Sequence, residues 1–302
     1  MKQKILITGS NGLLGQKLVN LFSNLDNFEV LAISRGENRN ETAKNWTYNS
    51  IDITDSTKLT HYIEDKAPNY IINCAAMTNV DQCESEQEKC DLVNVEAVQT
   101  LVNSAKKHHI HLIHISTDFI FDGEKGPYKE EDEPNPINYY GISKLKAEQV
   151  IKQEQINFTI LRTILVYGIV DNMSKNNIVS WVKTSIENKQ KITIVDDQFR
   201  MPTFVDDLAE ACLLAIYNRA YGIFNVSSSE LLSIYEMTLQ IAEVFNLDAS
   251  YIEAIPTSQL KQRAKRPPKT GFVLEKSKNS LKFPISSFKN RLQVFKNQLL
   301  NY

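Results

Sequence analysis

The chain has 302 residues, a formal net charge of −2 and 23% charged residues. This length can hold one full domain and a smaller lobe, and the near-neutral charge argues against bulk binding to nucleic acid or to an acidic membrane surface. The first residues are too polar for a secretory signal and no later apolar run reaches membrane-spanning length, so we expect a soluble, cytoplasmic protein.

A glycine-rich loop follows the first predicted strand. Ile5-Leu6-Ile7 leads into Gly9-Ser10-Asn11-Gly12-Leu13-Leu14-Gly15 and then into an amphipathic helix. Glycines here allow a pyrophosphate to approach backbone N–H groups at a helix N-terminus. The Gly-x-x-Gly-x-x-Gly spacing indicates the short-chain dehydrogenase branch of the dinucleotide-binding folds. We therefore predict cofactor contacts at Gly9, Asn11, Gly12, Leu13, Leu14 and Gly15.

The residue expected to select the cofactor follows the second strand. Glu29–Ile33 ends at Ser34-Arg35-Gly36, about twenty residues beyond the last loop glycine, where an acid would bind the ribose hydroxyls of NAD. A guanidinium suits a 2′-phosphate, so Arg35 favours NADPH, with NADH as the other option; the alternative is a solvated arginine in a turn. Asp52, able to face an adenine amino group, and Ile53 complete this part of the predicted site.

Four successive strand-then-helix units predict an α/β fold with a doubly wound parallel sheet of the Rossmann type. One buried strand, Tyr70–Asn73, runs into small residues, so Ala75, Ala76 and Met77 are predicted to let a cofactor lie against the backbone. A long helix from about Glu86 to His108 precedes the strand that leads into Ser116-Thr117-Asp118. Ligands bind at the carboxyl ends of such strands, which brings Gly9, Ala75 and Thr117 to one cleft.

Tyr140 and Lys144 lie four residues apart on a predicted helix and share a face. A tyrosine ordinarily keeps its proton up to a pKa of about 10, and a nearby positive charge favours the phenolate. The pair is therefore expected to supply a phenol that exchanges its proton near neutrality, as carbonyl reduction or alcohol oxidation requires. Thr117 is expected to donate to the same carbonyl oxygen. Without this context, the spacing would mark only a partly exposed helix face.

The alternation of strands and helices is less clear in the sequence beyond residue 165. We predict a dinucleotide-binding domain at 1–165, with 200–227 returning to it, and a smaller discontinuous substrate-binding lobe at 166–199 and 228–302. Residues 123–136 are polar and proline-rich, which predicts a loop. The basic segment 261–269 fits either a solvated linker or, with Arg200, a clamp for a substrate diphosphate.

Several runs together resemble the dTDP-4-dehydrorhamnose reductase family of extended short-chain dehydrogenases/reductases. The specific ones are Ser-Thr-Asp-Phe-Ile-Phe-Asp-Gly at 116–123 and Arg-Met-Pro-Thr at 200–203, and Asn73–Asp81 and Arg266-Pro267 agree with them. The resemblance covers nearly the whole chain. It implies reduction, by NADPH or NADH, of the C4 ketone of a nucleotide-diphospho-4-keto-6-deoxyhexose, most specifically dTDP-4-dehydrorhamnose to dTDP-rhamnose.

The resemblance also implies roles for individual residues. The catalytic set is Thr117, Tyr140 and Lys144, with Tyr140 and Lys144 also meeting the cofactor. The nucleotide-sugar substrate would be contacted by Thr78, Asp118, Phe119, Arg200 and Arg266. A homodimer is compatible with the resemblance, and we predict no metal site. The run 269–275 follows the family's C-terminal pattern only loosely.

Two alternatives stay open. Similar chains serve as regulatory subunits of methionine adenosyltransferase, which bind a dinucleotide and a partner without an established turnover, and an intact Tyr140 and Lys144 disfavour this only modestly. An epimerase or dehydratase of the same superfamily is the second alternative. Dehydratases generally carry an acid pair beside the tyrosine, whereas Asp118 follows Thr117 without a neighbouring glutamate.

Overall fold

Apolar strands alternate with amphipathic helices along the first two thirds of the chain. The computed structural model describes residues 2–173 and 177–300; residues 1, 174–176, 301 and 302, which fall within the predicted domain ranges, lie outside the described residues. The main sheet contains β1 (Gln3–Thr8), β2 (Phe28–Ser34), β3 (Trp46–Ser50), β4 (Tyr70–Asn73), β5 (His111–Thr117), β6 (Phe158–Thr163) and β7 (Gly222–Val226).

The described part of the chain forms this sheet in the order β7-β6-β5-β4-β1-β2-β3, with every neighbouring pair parallel. Ile5, Leu6 and Ile7 of the central β1 are fully buried, because helices cover both faces of a parallel sheet. The direction of winding reverses between β1 and β4, which opens a crevice at their carboxyl ends. The predicted doubly wound α/β fold is confirmed.

Helices pack against both faces of the sheet. Leu18 and Phe22 on one helix share a core with Leu208 and Cys212 on another, while the opposite face is covered by the other helices of this unit. The helices are α1 (Leu13–Ser23), α2 (Ser56–Lys66), α3 (Val80–Ser85), α4 (Gln87–Asp91), α5 (Ala97–His108), α6 (Tyr139–Gln153), α7 (Ile178–Glu187), α8 (Val205–Tyr217), α9 (Ile234–Phe245) and α10 (Phe288–Leu299).

The helix expected from about Glu86 to His108 is not uniform. It consists of α4, a π-helical turn at Leu92–Glu96, and α5. The buried side chain of Asn94 in that turn accepts a hydrogen bond from the Met77 backbone nitrogen at 2.8 Å and donates to the Met77 oxygen at 3.1 Å. The widened turn therefore ties this helix to the segment after β4, a use typical of π-turns near functional sites.

A second unit follows β6. Its core contains Val182 of α7, Ile241 of α9 and Phe288, Leu292 and Phe295 of α10. The short strands Ile192–Val195 and Ile252–Ile255 pair in parallel beside it. α9 begins with the capping box that the sequence predicts, in which Ser233 and Glu236 bond to each other's backbone nitrogen. Within residues 2–173 and 177–300, no helix combines the length and apolar character that a membrane span requires.

Candidate active site

The glycine loop lies against the end of β4. Gly9 has a φ of +66°, and a Cβ on it would lie 2.8 Å from the backbone nitrogen of Ala75. A Cβ on Gly15 would lie 2.3 Å from the Gly9 oxygen. Both positions therefore require glycine, and the loop leaves bare backbone at the N-terminus of α1, where a pyrophosphate can bind.

A cavity of about 310 Å³ lies on the β2 side of this loop. Eight of the predicted cofactor residues line it: Gly9, Asn11, Gly12, Arg35, Asp52, Ile53, Ala75 and Ala76. Ser34, Arg39, Ile51, Cys74 and Val93 line it too, although the sequence analysis did not select them. This space can hold the adenosine half of a dinucleotide.

The side chain of Asn11 holds the loop that presents the two arginines. It donates to the backbone oxygen of Glu37 at 2.7 Å and accepts from the backbone nitrogen of Arg39 at 3.0 Å. The Arg35 side chain is 73% exposed, with its guanidinium 3.9 Å from the carboxylate of Asp52. Arg35 is therefore free to turn towards a bound phosphate.

A larger cavity of about 700 Å³ continues from the first across the carboxyl ends of β4 and β5. The two share Asn11, Gly12, Cys74, Ala75 and Ala76, so they form one cleft. The predicted site residues that line the larger cavity are Asn11, Gly12, Leu13, Leu14, Ala75, Ala76, Thr78, Thr117, Asp118, Phe119, Tyr140, Lys144, Arg200 and Arg266. Gly15 and Met77 line neither cavity: Gly15 packs under the loop, and Met77 is bound by Asn94.

Thr117 and Tyr140 meet because α6 approaches the end of β5 closely. A Cβ on Gly141 would lie 2.1 Å from the Phe119 oxygen, so glycine is needed beside the tyrosine. Tyr140 and Thr117 line the same cavity, and the Thr117 hydroxyl donates to Oδ1 of Asp118 at 3.1 Å. Burial raises the pKa of Tyr140 above its ordinary value, and the contact with Thr117 opposes this only in part. Contrary to the expected titration near neutrality, the phenol keeps its proton, which suits a proton donor.

Lys144 is buried behind this pair. Its Nζ donates to the backbone oxygen of Ile115 at 2.6 Å and lies 3.0 Å from Nε2 of His114. The side chain is 2% exposed, and burial lowers its pKa to about 8. The lysine can therefore change charge within the physiological pH range.

The basic segment is anchored to the protein at Ala264, Arg266 and Pro267, while Lys261, Arg263, Lys265 and Lys269 are exposed. Arg266 binds both carboxylate oxygens of Asp81, at 2.6 and 2.7 Å, and holds the pKa of that carboxyl at about 2. The guanidinium of Arg200 donates to the backbone oxygens of Pro267 and Pro268 and lies 3.9 Å from Asp118. The guanidinium of Arg200 is therefore hydrogen-bonded to oxygens of the protein, whereas the sequence predicted that it binds the diphosphate of the substrate.

Thr270 fixes the far end of the same segment. Its hydroxyl donates to Oδ2 of Asp118, whose carboxyl is buried beside Thr117. Burial raises the pKa of Asp118, and the guanidinium of Arg200 opposes that effect. The segment 264–270 is therefore anchored both at Asp81 and at Asp118.

A buried ion pair fixes α6 on the sheet. Glu148, one turn beyond Lys144, receives hydrogen bonds from Arg162 at 2.8 and 3.0 Å and from Ser116 at 2.6 Å. The remaining Nη1 of Arg162 donates to the Glu130 backbone oxygen. Both charged side chains are at most 2% exposed. This network connects the helix that carries Tyr140 and Lys144 to β5 and β6.

Other residues of the cleft were missed by the sequence analysis. Arg39 could have been found, because it follows Arg35 in the same short loop. Gln262, inside the basic segment, and Gln198 line the larger cavity without any motif to mark them. His114 and Asn94 act through partners that are distant in sequence, so no local pattern indicates them.

A family model described as RmlD substrate binding domain matches residues 3–301. Methionine adenosyltransferase 2 subunit beta of Xenopus tropicalis is 32% identical over 259 residues, covering 84% of this chain and 75% of that protein. The spore coat polysaccharide biosynthesis protein SpsK of Bacillus subtilis (strain 168) is 33% identical over 267 residues, covering 87% of each.

A solved structure shares almost the entire fold. The dTDP-4-dehydrorhamnose reductase of Bacillus anthracis str. Ames, crystallised in complex with NADP, superposes with a TM-score of 0.85 at 27% identity. The match covers 99% of this chain and all of that one. The likeness therefore extends through both the sheet and the second unit.

Proposed function

We propose a specific reaction for this chain, which belongs to the RmlD substrate binding domain family. Its similarity to the known members indicates a sugar-nucleotide oxidoreductase that uses a nicotinamide dinucleotide cofactor. The protein reduces the C4 ketone of a nucleotide-diphospho-4-keto-6-deoxyhexose, with dTDP-4-dehydrorhamnose as the preferred substrate and dTDP-rhamnose as the product. The observation that carries the proposal is that Tyr140, Thr117 and Lys144 line one cavity, which also reaches the glycine loop.

The residues of the cleft suit this reaction. When bound, a reduced nicotinamide supplies the hydride for the ketone carbon. Thr117 and Tyr140 would hydrogen bond to the ketone oxygen, and the protonated phenol of Tyr140 would give its proton to that oxygen as negative charge develops there. A protonated Lys144 would stabilise the resulting phenolate. Fixing these groups in one buried cleft is the main source of rate, because it removes the cost of orienting them.

The remaining parts of the site follow from this proposal. The bare backbone around Gly9 and the cavity beside it fit the pyrophosphate and adenosine of a dinucleotide. Thr78, Phe119 and Arg266 would face the nucleotide sugar. Residues 1–165 with 200–227 would form the dinucleotide unit and the rest the substrate lobe. The homodimer and the lack of a metal site stay predictions from the sequence.

Arg35→Ala is expected to weaken NADPH binding by about tenfold and NADH binding by less than about twofold, because only NADPH offers a 2′-phosphate for a charge-assisted hydrogen bond. Titration of both cofactors followed by fluorescence measures the two affinities. Arg219→Ala is the matched control, since Arg219 is exposed beyond α8 and should affect neither cofactor. An equal loss of affinity for both cofactors would show that Arg35 does not bind the 2′-phosphate.

The proposed reaction is tested by a screen of nucleotide-sugar ketones with both reduced cofactors. Oxidation of NADPH is expected with a dTDP-4-keto-6-deoxyhexose, at a rate well above that with the free sugar, since remote binding energy is used to position the ketone. The same assay with UDP- and GDP-linked ketones defines the base preference. Absence of turnover with every ketone would reject the reductase.

The second candidate is a dinucleotide-binding regulatory subunit. Its support is the 32% identity to methionine adenosyltransferase 2 subunit beta. Tight NADP binding without hydride transfer to any ketone would favour it. A nucleotide-sugar epimerase is the third possibility, and it predicts product formation that consumes no reduced cofactor.

A further inference from the structure

A continuous chain of buried polar groups leads away from Lys144. Nζ of Lys144 lies 3.0 Å from Nε2 of His114, and Nδ1 of His114 lies 3.1 Å from Nδ2 of Asn73. Oδ1 of Asn73 lies 2.6 Å from the hydroxyl of Thr8, which also receives the backbone N–H of Ala75 at 3.3 Å. Thr8, Asn73, His114 and Lys144 are each at most 2% exposed. The chain therefore runs beneath the cleft, from the lysine to the residue before Gly9.

The hydrogen bonds of this series of polar groups all run from Thr8 towards Lys144. Because Thr8 accepts from the Ala75 N–H, its own proton is available to Oδ1 of Asn73, and 2.6 Å is a typical O–H···O length. The amide NH₂ of Asn73 then faces Nδ1 of His114 and must donate to it. A neutral imidazole that accepts at Nδ1 carries its proton on Nε2. That proton points at Nζ of Lys144.

From this direction we infer that Thr8, Asn73 and His114 favour the neutral amine of Lys144 over its ammonium form in the protein without ligands, by presenting the Nε2–H of His114 to the Nζ lone pair. An ammonium has no lone pair, so its contact with Nε2–H would set two donors against each other. The neutral amine instead accepts from His114, donates to the Ile115 oxygen and keeps one N–H for the cleft. His114 is thus a positioning residue for Lys144.

The other titratable groups around Lys144 favour its ammonium form, but they oppose the effect of burial only in part. Glu148 lies one turn along the same helix, but its carboxylate is paired with Arg162. Cys74 after β4 and Cys90 on α4 also act on the lysine: burial raises the pKa of the Cys74 thiol, whereas a hydrogen bond with Cys83 lowers the pKa of Cys90 to about 7. Tyr140, one turn earlier, keeps its proton. Burial itself favours the neutral amine and lowers the pKa of Lys144 to about 8.

The consequence for turnover rests on the proposed function. If a protonated Lys144 is needed to stabilise the phenolate of Tyr140, lowering the pKa of the lysine lowers the upper pH limit of activity. Turnover per encounter, kcat/KM, then falls as pH rises through the pKa of Lys144, near pH 8.

The tautomer of His114 is the first test, and it requires no substrate. In ¹⁵N-labelled protein, the imidazole nitrogen signals are expected to show a neutral ring protonated on Nε2 from pH 6 to 9. A ring protonated on Nδ1 would overturn the inference, because it would accept from an ammonium instead. This result stands whether or not the protein reduces a ketone, so its failure is separate from failure of the proposed function.

The pKa of Lys144 is the second test, measured by NMR of ¹³Cε-labelled lysine and assigned by loss of the signal in Lys144→Met. His114→Leu is expected to raise that pKa by about one unit, since a single hydrogen bond to the neutral amine is lost. Thr8→Val, which keeps the shape of the side chain but frees Asn73 to rotate, is expected to give a smaller shift in the same direction.

His111→Leu is the matched control. It makes the same change in a buried histidine of β5 that bonds to Thr159 and not to the lysine, so the Lys144 signal should titrate as in the wild type. An unchanged or lowered pKa in His114→Leu and in Thr8→Val would overturn the inference. If His114→Leu fails to fold, Thr8→Val and the wild-type tautomer still decide it.

Discussion

Tyr140→Phe is expected to lower turnover of a dTDP-4-keto-6-deoxyhexose by about 10²- to 10⁴-fold, the usual contribution of a positioned general acid. The phenol of Tyr140 lines the cleft beside Thr117, and burial raises its pKa, so it keeps its proton. NADPH affinity should change by less than about twofold, because the ring and its packing against Phe119 persist. Steady-state kinetics and cofactor titration measure the two effects.

Tyr139→Phe is the matched control for this variant. Tyr139 precedes the catalytic tyrosine on α6, but its hydroxyl donates to the carboxylate of Asp91, outside the cleft. It should keep nearly full turnover. A Tyr140→Phe protein that works at the wild-type rate would show that another group protonates the product.

Arg162→Met is expected to lower the free energy of unfolding by about 3–5 kcal/mol, because it leaves the carboxylate of Glu148 buried without its partner. The substitution also removes the hydrogen bond to the Glu130 backbone oxygen. Since Glu148 lies one turn beyond Lys144 on α6, residual turnover of the folded fraction should fall as well. Urea denaturation followed by circular dichroism measures the stability.

Lys106→Met provides the comparison for an exposed pair. Lys106 meets Glu154 at 2.7 Å with 58% of its side chain exposed, so its loss should cost about 1 kcal/mol or less. Equal losses in the two variants would mean that the buried pair contributes no more than a solvated one. In that case the network would not be what fixes α6 on the sheet.

The sequence predicts well which strands and helices carry the site, because the patterns that indicate them lie within short stretches of the chain. The apolar run at Ile5–Ile7, the glycine spacing and the end of β5 at Thr117 each fix the position of a residue along one strand or helix. The parallel fold then brings strand ends together by geometry alone. For this reason the sequence alone predicts that Gly9, Thr117 and Tyr140 share one cleft.

What the sequence does not predict is the set of partners of the buried polar groups. The basic character of 261–269 suggested a diphosphate clamp, but Arg200 bonds to the backbone of that same segment, and Arg266 binds Asp81. The expected effect of Lys144 on the phenol was likewise outweighed by burial, which raises the pKa of Tyr140. Desolvation depends on how the whole cleft closes, and no spacing along the chain encodes it.

The central claim is that this cleft transfers hydride to a ketone on a nucleotide-linked sugar. The most direct measurement uses NADPH carrying deuterium at the transferable C4 position together with dTDP-4-keto-6-deoxyhexose, with mass spectrometry and NMR of the product. We expect one deuterium on the sugar, at C4, and about 10²- to 10⁴-fold less of this labelled product from Tyr140→Phe over the same time. A product without deuterium at C4, or no product although NADPH binds, would contradict the account.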